Sequence, residues 1–212
     1  MRRKVWNGRR FIAFTLCAGL LALPAAFAGE KPAAVKEKAK TAGAEMSPEQ
    51  MMEAYAKYAQ PGPQHAILGS MAGNWKTVVK TWMAPGEPQV SEGRCTTSAI
   101  LGGRYIKEEV TGSFMNQPFE GFGITGYDLY KKEFVGAWTD TMGTGIMFSR
   151  GSIDPTGKVL TMIGTFDDPV SGKKQTMKEV TRIVDANKRI FEIWENREGK
   201  EVKSMEITYT RE

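Results

Sequence analysis

The sequence has very few of the side chains that build disulfide frameworks and metal centres. Its 212 residues include only two cysteines, Cys17 and Cys95, and one histidine, His65. Zinc sites use clustered Cys and His ligands, and a Ser-His-Asp triad would depend on His65 alone. There is also no Gly-x-Ser-x-Gly elbow and no phosphate-binding loop motif. We therefore expect no metal, no cofactor and no common hydrolase or nucleotide-binding site.

The chain also lacks an apolar run long enough to be a membrane-spanning helix. Its longest, residues 11–23, is well short of the roughly 20 residues that span a bilayer. Five basic residues precede this run, and Ala26-Phe27-Ala28 after it fits a small-x-small cleavage site. We predict a signal peptide over residues 1–28, cleaved after Ala28, with an uncleaved anchor as the alternative. Arg9-Arg10 leaves the twin-arginine route open beside the Sec route.

The mature chain has no excess of charge of either sign. Cleavage removes five of the 29 basic residues and none of the 24 acidic ones, so the rest is formally neutral. Net charge then gives no support for binding nucleic acid or an anionic membrane surface. Cleavage also leaves Cys95 as the lone thiol, so no intramolecular disulfide is expected. We expect a periplasmic or secreted protein with no stable membrane anchor, its oligomeric state open.

The first part of the mature chain is predicted to be a linker followed by a helix. Residues 29–46 are rich in Ala, Lys and Glu and are predicted to be a solvated linker. A single domain over residues 47–212 then opens with a helix over 47–60. Ser47 and Gln50 form a capping box around Pro48. We expect this helix to pack one face against the domain, with a binding groove as the alternative. That face carries Met51, Met52, Tyr55 and Tyr58.

Alternation of period two begins at Gly73-Asn74-Trp75, after a short helix-like segment over residues 64–71. Nine turn signals divide the remainder into about ten strands, too closely spaced for intervening helices. The pattern predicts a mainly β fold in which each strand pairs with its neighbour in an up-and-down meander. Closing the meander into a barrel removes its exposed edges. An open sandwich is the alternative.

Several segments resemble an uncharacterised bacterial family, the domain of unknown function 1579. They are Gly102-Gly103-Arg104-Tyr105, Pro118-Phe119-Glu120-Gly121, Gly126-Tyr127-Asp128, Trp138-Thr139-Asp140-Thr141-Met142-Gly143-Thr144-Gly145 and Glu206-Ile207-Thr208-Tyr209-Thr210-Arg211. The resemblance runs from about Ser47 to the end and implies no particular activity.

The wider likeness, through Gly73-x-Trp75, is to the lipocalin and fatty-acid-binding (calycin) barrels. It implies a container for a small apolar or amphipathic molecule. It also implies that Arg211, from the last strand, covers Trp75 and closes the barrel. Nitrobindin-like relatives hold haem through a strand histidine, and this chain has no histidine after His65.

The densest candidate site is the stretch that contains Trp138, Asp140 and Met142, which alternate onto one strand face. If that face is internal, Asp140 needs a partner, because an unpaired buried charge is costly. Arg182 is the candidate partner. The alternative is that Asp140 faces solvent or satisfies groups in the adjacent turn. Further lining candidates by parity are Tyr105, Glu109 and Tyr127, with the apolar Phe122 and Phe148.

These patterns favour an exported protein that binds a small apolar or amphipathic molecule in a barrel cavity. One alternative is an envelope interaction protein whose barrel is filled by side chains. Another is an enzyme that uses Asp140, Arg182 and Tyr127 within the cavity.

Overall fold

The computed structural model describes residues 46–169 and 171–212. Residues Met46–Glu212 form one compact unit. The predicted signal peptide and nearly all of the predicted linker lie outside the described residues.

Among residues 46–72, two helices precede the strands, α1 (Pro48–Tyr58) and α2 (Pro63–Ser70). The capping box at α1 is present: Gln50 N donates to Ser47 Oγ (3.2 Å), and Ser47 N donates to Gln50 Oε1 (2.9 Å). The prediction that α1 packs one face against the domain is wrong, because none of its residues is buried. Its one ring contact is Tyr58 against Tyr130. The helix that packs on the strands is α2.

Ten strands follow within the described residues, and they form a closed antiparallel barrel. Their bounds are β1 Gly73–Thr81, β2 Gln89–Ile100, β3 Tyr105–Phe114, β4 Gln117–Asp128, β5 Glu133–Asp140, β6 Met147–Ile153, β7 Val159–Asp168, β8 Lys173–Asp185, β9 Lys188–Arg197 and β10 Lys200–Arg211. Each strand pairs with its sequence neighbours, and β1 pairs with β10 to complete the ring. The nine connections fall at the nine predicted turns, which confirms the predicted barrel.

One end of the barrel is filled by α2. Leu68 and Met71 from this helix region pack in a buried apolar cluster with strand residues of the inner face. The strand residues of that cluster are Ile106, Phe134, Leu160 and Met162. We call this half of the barrel the closed half, and the half at the opposite end the open half.

The closed half is also held by the predicted contact between the first and last strands. The guanidinium of Arg211 lies 4.2 Å from the centroid of the Trp75 ring. It donates to the carbonyl oxygens of Ala72 (2.7 Å), Ser70 (3.3 Å) and Ala186 (2.8 Å). Arg211 therefore connects the end of α2 to the β8–β9 turn across the indole ring.

Gly73, the first residue of the Gly-x-Trp motif, serves the same contact. Its φ is +145°, a conformation that side-chain-bearing residues rarely adopt. A Cβ atom at this position would overlap the guanidinium of Arg211. The motif therefore supplies both the ring that Arg211 covers and the space that the guanidinium needs.

Replacing Arg211 with Ala is expected to lower the free energy of unfolding by about 2–3 kcal/mol, since a cation–π contact and hydrogen bonds to backbone carbonyls are lost. The measurement is urea denaturation followed by tryptophan fluorescence. Arg94→Ala is the matched control. Arg94 is 69% exposed and pairs with Glu212, so its loss should cost less than about 1 kcal/mol. Equal costs for the two variants would show that Arg211 does not stabilise the closed half.

Candidate functional site

The inner face of the closed half carries a buried arginine. Arg189 on β9 is only 4% exposed. Its Nη2 donates to Glu108 Oε1 (2.7 Å) on β3 and to Thr97 Oγ1 (3.0 Å) on β2. Its Cζ lies 4.1 Å from the Tyr209 ring centroid and 5.0 Å from that of Trp75. These five residues are called the arginine cluster.

The arginine cluster holds one positive and one negative charge. Burial opposes the charged guanidinium, but the negative charge of Glu108 and weaker contributions offset it, so the pKa of Arg189 is raised overall. Cys95 is buried beside the cluster. Burial, with the charge of Glu108 adding to it, raises the pKa of the Cys95 thiol to about 11. The thiol is therefore neutral at physiological pH and not primed as a nucleophile.

A small cavity of about 240 Å³ lies beside Arg189 at the closed end. It is lined by Ser70, Met71, Trp75, Ile183, Asp185, Ala186 and Arg189. The Nε of Arg189 is buried and has no hydrogen-bond partner among the described residues. The cavity has room for water molecules that could satisfy this donor. A second, wider depression of about 540 Å³ lies across β1–β3 beside Gly93 and Gly112.

A second buried acid, Glu179 on β8, lies on the inner face and is 8% exposed. The hydroxyl of Ser149 on β6 hydrogen-bonds to its carboxyl group. Gly164 on β7 lies between them, and a Cβ there would be 3.0 Å from Glu179 Oε1. Burial raises the pKa of Glu179 to about 7; the hydrogen bond from Ser149 opposes the rise, and the charge of Glu108 adds to it.

Trp138 and Asp140 are placed together on the inner face of β5. Trp138 Nε1 donates to Asp140 Oδ2 (2.8 Å), and Met142 N donates to Asp140 Oδ1 (2.9 Å). The indole ring lies against β4, where a Cβ at Gly123 would be 2.9 Å from Trp138 Cε3. Asp140 is therefore satisfied by the indole and by its own turn, which agrees with the alternative interpretation of this residue.

The predicted partnership between Asp140 and Arg182 is wrong. Strand register carries Arg182 to the outer face, since it pairs with Val159 while the inward Leu160 pairs with Thr181. Its Nε donates to Glu192 Oε2 (3.4 Å), and its side chain is 49% exposed. Arg182 therefore belongs to the outer surface.

Four further predicted lining residues also lie on the outer face, and one lies in a turn. Tyr105, Glu109, Phe122 and Phe148 alternate with inward residues of β3, β4 and β6. Met142 follows the end of β5 and is 52% exposed. The error at the four outer-face residues has one physical cause: a shift of one residue moves a whole strand's side chains to the opposite face.

Tyr127 lies on the inner face but deep in the closed half. Its ring packs 4.9 Å from that of Phe134 and 6.0 Å from that of His65. His65 Nδ1 accepts a hydrogen bond from Gly62 N, which caps α2. Tyr127 is thus core packing, and the predicted catalytic set of Asp140, Arg182 and Tyr127 is not assembled.

The open half is lined by apolar side chains that remain half-buried. By register and burial, inward-pointing residues of seven strands share this property: Phe119, Trp138, Met147, Phe166, Met177, Ile193 and Met205. They lie within a closed ring whose other end is filled by α2. Solvent therefore reaches them from the end opposite α2.

The described residues form neither a metal site nor a membrane-spanning helix. Over residues 46–169 and 171–212, no three His, Cys, Asp or Glu side chains lie close enough to hold a metal ion. Neither helix in this part of the chain is long and apolar enough to span a membrane.

The described residues thus form a closed ten-stranded antiparallel barrel. Helix α2 fills one end of the barrel, and the other end is accessible to solvent. A family model described as "Protein of unknown function (DUF1579)" matches residues 60–211, and the chain belongs to this family. No curated protein matches the chain significantly.

Two solved structures are similar to this chain at low sequence identity. The crystal structure of Rv2717c from M. tuberculosis superposes with a TM-score of 0.54 and 11% identity, covering 72% of this chain and 99% of that one. A redesigned beta barrel gives a TM-score of 0.37 and 12% identity, covering 70% and 95% of the two chains. The first similarity supports the barrel fold, and the second is too weak to support any argument.

The raised pKa of Glu179 leads to a prediction about stability. In the unfolded chain this carboxyl ionises above its ordinary pKa of 4.5, whereas in the folded chain it stays protonated until about pH 7. Between these values the unfolded state binds fewer protons, so this group destabilises the fold as pH rises. Glu179→Gln removes the effect, and its stability relative to wild type should increase by about 3 kcal/mol at most from pH 4.5 to 7.5.

Urea denaturation at several pH values measures this difference. Glu109→Gln is the control, since Glu109 lies on the outer face with 51% side-chain exposure. Its profile should run parallel to that of the wild type. A parallel profile for Glu179→Gln would show that Glu179 is not buried as an acid.

Proposed function

We propose that the protein binds a small apolar or amphipathic molecule in the open half of the barrel. The observation that carries this proposal is the half-buried apolar lining of the open half, inside a closed ring whose other end is filled by α2. Concave, mostly apolar surfaces with a few convergent polar groups are the usual form of small-molecule sites.

The difference between the closed and open halves indicates the end at which a ligand enters the barrel. At the closed end, α2 and the cluster around Leu68 and Phe134 fill the interior. A ligand would enter at the opposite end and lie against Phe119, Phe166 and the inward methionines. Methionine side chains are flexible and polarisable, so they adapt to ligands of different shape.

Polar groups at the base of the open half favour an amphipathic ligand over a purely apolar one. Glu179 lies beside Met147 and Met177 of the apolar lining, and Ser149 is its hydrogen-bond partner. The arginine cluster lies deeper, in the packed closed half. A ligand's polar group reaching this depth would meet hydrogen-bonding partners, while its apolar part stays against the lining. Export of the protein stays a prediction from the sequence, and it would give the ligand site an extracytoplasmic location.

An interaction role for the outer face is a second candidate. Phe148 is 59% exposed and Phe122 39%, on neighbouring parts of β6 and β4. Ala137 on β5 lies between these strands, pairing with Phe148 on one side and Ile124 on the other. Exposed apolar surface of this kind is a common feature of protein–protein contacts.

Binding in the open half is tested with 1-decanol, which displaces a polarity-sensitive neutral dye if both occupy the site. Phe166→Gln places an amide in the apolar lining, and affinity for decanol should fall on the order of tenfold because a polar group must be desolvated. Ile163→Gln is the matched control on the same strand, since Ile163 is 47% exposed on the outer face.

The control should bind decanol as the wild type does. The proposal fails if neither dye nor decanol binds saturably. It also fails if Ile163→Gln weakens binding as much as Phe166→Gln, because the site would then lie on the outer face.

A further inference from the structure

At the base of the open half, an acidic side chain on the inner face has no basic side chain as its partner. Arg189 is paired with Glu108 at 2.7 Å. Arg211 donates to three backbone carbonyls, and Arg197, near the rim, is paired with Glu195 at 3.0 Å. Glu179 has the hydroxyl of Ser149 and, among the described residues, no cation. Glu179 is therefore a buried acid of the inner face that has no counter-ion among the described residues.

This acid lies directly beneath the apolar lining. Three atoms converge on the inner side of Gly164: a Cβ there would lie 2.9 Å from Met147 Sδ, 3.0 Å from Glu179 Oε1 and 3.2 Å from Met177 Cγ. Met147 and Met177 are both part of the half-buried lining of the open half. Movement of these two flexible side chains would bring a ligand from the lining to the carboxyl group of Glu179.

We propose that the open half selects a hydrophobic amine, a cationic amphiphile whose ammonium group pairs with the carboxylate of Glu179 between Met147 and Met177. The inference rests on the proposed function and names its ligand class. A buried carboxylate is costly alone but favourable with a hydrogen-bonded cation, so the ligand would supply what the chain lacks.

The same charges disfavour the fatty acids that a barrel of this kind first suggests. A ligand carboxylate would approach Glu179 and Glu108, and the nearby guanidinium of Arg189 is already bonded to Glu108 and stacked on Tyr209. Like charges at short range in a poorly solvated interior repel strongly. A neutral alcohol meets neither this repulsion nor the attraction that an ammonium gains.

Binding of the amine would displace a proton. The carboxyl of the empty site loses its proton to solvent when the ammonium group arrives, and a carboxylate–ammonium pair remains. The charged groups facing Glu179 from neighbouring elements are Glu108 on β3 and, beyond it, Arg189 on β9; Lys178, next in sequence, points outward and pairs with Glu201. Amine affinity should therefore increase from pH 5.5 to 7.5, as Glu179 becomes easier to ionise.

The test compares three ligands of one chain length, decylamine, 1-decanol and decanoate, each below its micelle concentration. Dissociation constants come from displacement of the neutral dye from the folded chain at pH 7.5. Decylamine should bind on the order of tenfold more tightly than decanol, as a charge-assisted hydrogen bond provides. Decanoate should bind more weakly than decanol. In Glu179→Gln the ratio of amine to decanol affinity should fall to about one, whereas Glu109→Gln should keep the wild-type ratio.

The outcomes separate this inference from the proposed function. If decanol binds and decylamine is no tighter, or if Glu179→Gln keeps the preference, the amine inference is overturned and binding in the open half stands. The amine inference is also overturned, and binding in the open half stands, if decanoate binds as tightly as decylamine. If none of the three ligands binds, the proposed function fails and the amine inference fails with it.

Discussion

The buried guanidinium of Arg189 constrains the arrangement of the strands that surround it. Arg189 contacts Glu108 on β3, Thr97 on β2, Tyr209 on β10 and Trp75 on β1. A buried charge that loses its partner costs about 3–5 kcal/mol, so these strands are held in one arrangement around it. Arg189 therefore ties β9 to β1, β2, β3 and β10 within the closed half.

The two halves of the barrel differ because of what lies on either side of this cluster. Towards α2, the cluster is continued by Arg211 over Trp75 and by an apolar core that leaves only a small cavity. Towards the other end, the inner face changes to apolar side chains that solvent still reaches. Glu179 lies at this boundary, buried like the cluster but without its own cation. The interior thus combines a packed base with a half-buried apolar lining.

Much of the fold was predictable from the sequence, since the turn residues and the alternation are local signals. The nine turns and the closure of the sheet were predicted from the turn residues and the alternation. The position of Arg211 over Trp75 was implied by the resemblance to the calycin barrels. It was harder to predict which side chains of each strand point into the barrel. On β3, Ile106 and Val110 flank Glu108 on the same face, a signal that would have identified Glu108 in place of Glu109.

On β8 the alternation is ambiguous, because apolar residues occupy both faces. Val180 is buried although it points outward, beside Glu192 and its ion pairs. A register shift between Ile183 and Asp185 interrupts the pattern further. The inward acid Glu179 and the outward Arg182 are therefore distinguished only by strand pairing. The arginine cluster joins residues 75, 97, 108, 189 and 209, a set that no local pattern predicts.

The central claim is that the open half of the inner face accepts a ligand while the closed half stays packed. Methyl NMR on protein with ¹³C-labelled methionine methyl groups, titrated with decanol, tests it most directly. The methyl signals of Met147, Met177 and Met205 should shift together, and those of Met71 and Met162 in the closed half should not. Shifts confined to exposed methionines such as Met52 and Met83, or no shift at saturating decanol, would contradict the account.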